Sequence, residues 1–300
     1  MTVAKKNFSS PKHAPRIAFV ALLGGNAALA TGPLFVRLAD VGPVASGFWR
    51  LALALPVLLL FALWERRRGG ATPPVWRGAM GLAIIGGLFF ASDLASWHIG
   101  ILQTKMANAT LFGNSASLFM AVATLVAAHR WPMRAELIAL MLACSGALLL
   151  MQASADQGRA RFEGDLLCLL AGVLYTGYML TMQRARGSIG PWTALASATA
   201  AGVLPLLLFA FALGETIWPH DWQNVAWLAL ASQIIGQGLL IYALPHFSAL
   251  VIGLTLLTQP AMSALIGWAV YGERLGASEL LGALLVAASL VLVRLPMRKT

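Results

Sequence analysis

The groups in this chain that could do chemistry are polar side chains set at helical spacing inside apolar runs. Asn108, Thr110, Asn114 and Ser115 stand in one run; Thr255, Thr258, Gln259 and Met262 stand in another at i, i+3, i+4 and i+7. A polar group in hydrocarbon costs on the order of a few kcal/mol unless it is paired or faces water, so such groups mark helix contacts or a cavity. Phe89, Ser92, Asp93 and Ser96 make a further stripe, with Trp97 beside it. Asp93 is the acid deepest within a run and Arg50 the corresponding base. They read either as an ion pair, structural or part of a gate, or as groups free to meet a substrate carboxylate and a proton.

Three more sets complete the inventory. Asn26 precedes Gly32-Pro33, a pair able to break a helix and free its carbonyls; it reads as a helix-helix hydrogen bond or as a cavity group. Tyr175, Tyr178, Met179, Met182 and Gln183 share one face, and each tyrosine hydroxyl needs a partner or water. Gln233 and Gln237 lie one turn apart and should face the interior, and Pro260 should kink its helix close to Thr258 and Gln259. The substrate-binding candidates are therefore Asn26, Trp97, Asn114, Tyr175, Tyr178, Gln233, Gln237, Thr258 and Gln259. The gating or ion-pair candidates are Arg50, Asp93 and Pro260.

The elements that must position these groups are membrane-spanning helices. The 300 residues are 59% hydrophobic and 11% charged, against about 25% charged in soluble domains. Ten apolar runs, at 16–36, 44–64, 76–97, 106–128, 134–152, 164–183, 193–213, 222–242, 248–271 and 277–295, are each about long enough to cross a roughly 30 Å hydrocarbon core. Residues 1–15 read as a disordered cytoplasmic tail without a signal-peptide cleavage site, and 296–300 as a second cytoplasmic tail. Cys144 and Cys168 form no CxxC, and His13, His98, His129, His220 and His246 have no metal spacing, so neither disulfide nor metal is expected.

The chain repeats itself. A shift of 145 residues lays Trp97 on Tyr242, Thr110 on Thr255, Asn114 on Gln259 and Ser115 on Pro260. With small adjustments Leu22 to Gly25 matches Leu169 to Gly172, Arg37 matches Arg184, and Leu55-Pro56 matches Leu204-Pro205. The units are 16–152 and 164–295, five runs each, and an odd number turns the copies opposite ways across the bilayer. That is carrier architecture. Fifteen Lys and Arg, from the amino-terminal tail, Arg66 to Arg77, Arg130 and Arg134, Arg184 and Arg186, and the carboxy-terminal tail, fall on one side. Only Arg37, Lys105, Arg159, Arg161 and Arg274 fall on the other. The bias predicts both termini inside.

The Ala-rich helix, Pro260, Gly272-Glu273-Arg274-Leu275 and the closing helix with Gly282 resemble the EamA repeat of the drug/metabolite transporter superfamily over residues 16 to 295. Residues 45 to 50 (ASGFWR), 91 to 100 (ASDLASWHIG) and 107 to 117 (ANATLFGNSAS) resemble the YddG-type exporters of aromatic amino acids. The first copy departs from the pattern, with Ala128-His129-Arg130 where the second has Gly-Glu-Arg. The resemblance implies two copies, ten helices, both termini inside, and export of small metabolites.

The expectation is an all-α, ten-helix transporter of the inner membrane, carrying amino acids, aromatic and other neutral ones, by alternating access. The inventory lacks the unpaired basic cluster that phosphate would demand. No P-loop or other ATP-binding segment is present, no cofactor is called for, and a basic balance confined to short loops points to topology rather than nucleic acid. A multidrug or toxic-cation exporter is the alternative and would depend on Asp93. A membrane-embedded enzyme would need a nucleophile with a base, or a metal cluster, at one depth, and the runs offer neither.

Overall fold

A computed structural model describes residues 16–69, 76–127, 129, 131–243, 246–247, 255–256 and 258–292. The two tails and residues 248–254 of the ninth run lie outside the described residues. Every regular element is a helix: α1 (Arg16–Ala30), α2 (Gly32–Leu38), α3 (Pro43–Gly69), α4 (Trp76–Gln103), α5 (Met106–Gly113), α6 (Ala116–Ala127), α7 (Arg134–Asp156), α8 (Arg159–Ile189), α9 (Pro191–Ala212) and α10 (Trp222–Leu228). A π-helix (Ala229–Gly236), α11 (Gln237–Ala243), α12 (Thr258–Tyr271) and α13 (Ala277–Leu292) complete the order. Among the described residues seven segments are long and apolar enough to cross a membrane, and α13 is a shorter apolar helix.

Several runs are interrupted where they approach the centre. The first breaks at Thr31, because Pro33 in the first turn of α2 has no N–H to continue α1. The fourth breaks between Gly113 and Ala116, where the carbonyl of Asn114 accepts from the Ser117 hydroxyl instead of a full helical turn. Its repeat mate is Gln259-Pro260, within α12. Amide N–H groups in a first turn have no intrahelical acceptor, so Pro33 is tolerated at the start of α2. The eighth run widens into the eight-residue π-helix, a form that recurs at functional sites.

The helices pack as α4 against α8 and α9, α3 against α9, and α7 against α13. Close approach explains some of the glycines. A Cβ on Gly25 would stand 3.2 Å from the Gly236 carbonyl, and one on Gly146 would stand 2.6 Å from the Gly282 carbonyl. One apolar core joins α3, α4, α8 and α9 around Leu51, Phe90, Leu94, Tyr178 and Leu206; a second joins α5, α7, α8 and α13 around Ile101, Phe112, Leu150, Cys168 and Leu290. Large apolar side chains such as Leu60, Leu148, Leu204, Leu208, Leu265 and Leu284 point outward and are exposed. An apolar exterior over an apolar core suits hydrocarbon rather than water.

Carboxylates fasten the halves at helix ends. Glu215, just beyond α9, accepts the Val44 and Ala45 N–H groups at the start of α3, at 3.2 and 2.8 Å. Glu65, near the end of α3, accepts the Trp192 and Thr193 N–H groups at the start of α9, at 3.2 and 2.8 Å. These repeat-related antiparallel helices thus cap each other, and Gly214 (φ 67°) supplies the left-handed turn that brings Glu215 back. Trp49 joins the same end: it is 8% exposed and donates its indole N–H to the Ile217 carbonyl at 2.6 Å.

Candidate functional site

A cavity of about 670 Å³ lies between the two halves, within the size range of small-molecule sites. Helix α3 contributes Arg50, and α4 contributes Phe90, Asp93, Leu94 and Trp97. The α5–α6 break brings Thr110 and Asn114, α8 brings Tyr175, Tyr178, Met179, Met182 and Gln183, and α11 and α12 bring Gln237 and Gln259. The cavity reaches Pro191, where α8 turns into α9.

On α4 the cavity-facing stripe is Phe90, Asp93, Leu94 and Trp97, offset from the sequence expectation. Ser92 is exposed and returns its hydroxyl to the Leu88 carbonyl at 3.0 Å, while Phe89 packs against Gly177. A serine can satisfy itself on its own helix, so its presence in a stripe does not demand a cavity. The indole N–H of Trp97 donates to the Ala109 carbonyl at 3.0 Å, which fixes the ring. Tyr178 stacks on Phe90 with ring centroids 4.7 Å apart, Tyr175 lies tilted to it at 6.3 Å, and Tyr175 hydrogen-bonds to Gln237.

Direct pairing of Arg50 with Asp93 is not what the structure shows. The Arg50 Nε donates to Gln233 Oε1 at 3.2 Å, Gln233 Nε2 donates to Thr199 Oγ1 at 3.3 Å, and the guanidinium carbon stands 5.9 Å from the Phe90 ring centroid. No ion pair joins Arg50 or Asp93 to another described residue. A neutral amide holds the guanidinium, and Arg50 and Asp93 both line the cavity within electrostatic reach of each other but beyond ion-pair distance. Gln233 itself is fully buried behind Arg50 and is not a wall.

Residues that the 145-residue offset lays on each other meet. Asn114 Nδ2 donates to Gln259 Oε1 at 3.5 Å, and Gln259 Nε2 donates to Asn26 Oδ1 at 2.6 Å, tying α5, α12 and α1 together. Asn26 is buried in this tie, its own amide N–H bonded to the Leu22 carbonyl at 2.9 Å, and does not line the cavity. Thr110 donates to Ser263 at 2.8 Å, another cross-repeat contact. Thr258 bonds the Thr255 carbonyl at 2.6 Å and is not a wall residue either. Asn108 points away from the cavity to Ser154 and Asp165, and Ser115 lies buried against Gly172.

The opposite end of the bundle is tied shut by groups the sequence reading did not select. Arg37 pairs with Glu273 at 2.6 Å and donates to the Ile101 and Thr104 carbonyls; the other Glu273 oxygen accepts Met106 N–H at 2.9 Å. Lys105 reaches both oxygens of Glu279 at 2.6 and 2.7 Å and the Arg274 carbonyl at 2.7 Å. Between the loops outside the spans, the Asp221 and His220 N–H groups donate to Asp40 and hold its carboxyl below the ordinary value. The signal for this closure was the loop charge itself: Arg37 and Lys105 had been counted for topology, while each needed a partner.

A helical bundle with an apolar exterior, built from two like halves around a mostly apolar cavity that carries a few polar groups, defines a membrane carrier. The family description "EamA-like transporter family" matches residues 16–152 and 162–295. The chain belongs to that family, and its relatives are transporters. An uncharacterized transporter of Archaeoglobus fulgidus is 22% identical over 268 residues, 86% of this chain and 89% of that protein. Threonine/homoserine exporters RhtA of Salmonella typhimurium and Escherichia coli are 26% and 27% identical over 52% and 51% of this chain, which spans 53% of their length. A solved structure described as "Crystal structure of protein" shares the fold, with TM-score 0.58 at 18% identity over 94% of this chain and 97% of that one.

Proposed function

We propose that this protein exports neutral amino acids, aromatic ones included, with one substrate held between Arg50 and Asp93. The observation that carries this reading is a cavity wall holding one cation and one anion that are not paired to each other. A zwitterion completes both: its carboxylate meets the guanidinium and its ammonium meets Asp93. Its side chain lies along Phe90, Trp97, Tyr175 and Tyr178, with Gln237, Asn114 and Gln259 as amide partners. The similarity to threonine/homoserine exporters supports the substrate class.

The reading includes ten spans in two inverted units, 16–152 and 164–295, with both termini inside and the inner membrane as location. The cavity then reaches the cytoplasmic end, and the tie of Arg37 to Glu273 and Lys105 to Glu279 closes the outer one. Alternating access exchanges which end is tied. A cation exporter is the second reading, favoured by the absence of an ion-pair partner for Asp93 among the described residues. Arg50 on the same wall opposes it.

Counterflow in proteoliposomes tests the reading. Labelled phenylalanine or threonine should enter only when an unlabelled amino acid is trapped inside, and Tyr175→Ala or Gln237→Ala should weaken entry. Entry of cationic dyes but of no amino acid would reverse the assignment.

A further inference from the structure

We propose that Asp165 is a proton-binding site, separate from the substrate cavity, that couples transport to a proton by controlling closure of the tied end. The inference rests on the transport reading above. Asp165 has no exposed surface and does not line the cavity. Its partners are all neutral: Thr104 Oγ1 donates to Oδ1 at 2.5 Å, Asn108 Nδ2 lies 3.5 Å from both oxygens, and Ser154 hydrogen-bonds to it. No cation stands within ion-pair distance among the described residues. A carboxylate buried in this way has a proton as its simplest compensation.

Its place in the fold connects that proton to the closure. Thr104 uses its hydroxyl for Asp165 and its carbonyl for Arg37, which holds Glu273; the next residue, Lys105, holds Glu279. The charged group that acts on Asp165 directly is Glu279 from α13; Cys168, one turn on along α8, feels Asp165 together with Asp93 and Arg37, and Lys105 follows Thr104 in the chain. Helices α4 and α8 meet there tightly: a Cβ on Gly164 would stand 2.8 Å from the Gln103 Cβ, and one on Gly100 would stand 2.6 Å from Cys168 Sγ.

The step is a proton transfer from hydronium at that end: its O–H bond breaks as an O–H bond forms on a carboxylate oxygen of Asp165, leaving water, and the same proton is later returned to water. With Asp165 ionised, the Thr104 hydroxyl makes a charge-assisted bond and the corner is held. Protonation replaces it by a neutral bond of roughly half the strength, and the end is freed to open. Acid on that side therefore favours opening.

Two readouts test this on the purified full chain. In detergent, infrared difference spectra between acid and alkaline buffer should show a protonated-carboxyl band that Asp165→Asn removes and Asp93→Asn retains. The midpoint of that band should move to higher pH in Thr104→Val, because a donor to the charged form is lost. In proteoliposomes, acid on the tied side should speed wild-type exchange several-fold, and Asp165→Asn should show no acceleration. A carboxyl band unchanged in Asp165→Asn, an unmoved midpoint in Thr104→Val, or an acid response absent from the wild type or kept by Asp165→Asn overturns the proposal. If Asp165→Asn does not fold, Thr104→Val decides. If the wild type exchanges no amino acid, the substrate reading fails while the infrared band still decides Asp165.

Discussion

At the scale of single residues, the cavity depends on how Arg50 is held. Gln233 supplies the one hydrogen bond that Arg50 makes with a described residue, and leaves the rest of the guanidinium to the cavity. Gln233→Leu should therefore cost about 1.5–3 kcal/mol, the worth of a hydrogen bond to a charged group. Its signature is a lower unfolding temperature together with weaker substrate competition in counterflow, whereas a purely structural role would move the first alone. Much of this was legible in the chain: intramembrane polar residues are few enough to enumerate, and Trp97, Asn114, Tyr175, Tyr178, Gln237 and Gln259 do line one cavity. Periodicity could not say which groups satisfy themselves. Ser92 and Thr258 return hydroxyls to their own helices, and Asn26 and Gln233 act behind the wall rather than on it.

Elements are fixed to each other by acids that the sequence places at helix ends. Glu215→Ala removes the cap from α3 and should destabilise the protein by about 1 kcal/mol, measurable in thermal unfolding; Glu65→Ala should do the same through α9. Glu279 matters more, since Lys105 is 7% exposed and would be left without its carboxylate. Glu279→Ala should cost about 3–5 kcal/mol, and Lys105→Met with Glu279→Leu should restore most of it, because a buried pair contributes little beyond an apolar replacement. Unfolding of the single and double variants checks both. The sequence shows each of these charges but not its partner, because Arg37 and Glu273 are 236 residues apart and Lys105 and Glu279 are 174 apart. The helix irregularities were only partly legible: Pro33 announces the break after α1, while the π-helix at Ala229–Gly236 carries no composition that sets it apart.

At the scale of the whole molecule, a cavity that reaches one end and ion pairs that close the other correspond, on the proposed reading, to one state of an alternating carrier. In the proposed orientation Gln183→Cys, in a chain with Cys144 and Cys168 replaced by serine, should react with a membrane-impermeant thiol reagent from the cytoplasmic side alone. Glu273→Gln should add reactivity from the outside. The 145-residue offset lays Asn114 on Gln259, and these two side chains meet at 3.5 Å.

The central claim is that Arg50 and Asp93 together read a zwitterion, and a competition experiment meets it most directly. Counterflow of labelled phenylalanine should be inhibited by phenylalanine, but far less by phenylalaninamide, which lacks the carboxylate, or by 3-phenylpropionate, which lacks the ammonium. Arg50→Gln should abolish the preference for phenylalanine over its amide, and Asp93→Asn the preference over the deaminated acid. Equal inhibition by all three compounds in the wild type, or loss of both preferences in either variant, would contradict the account.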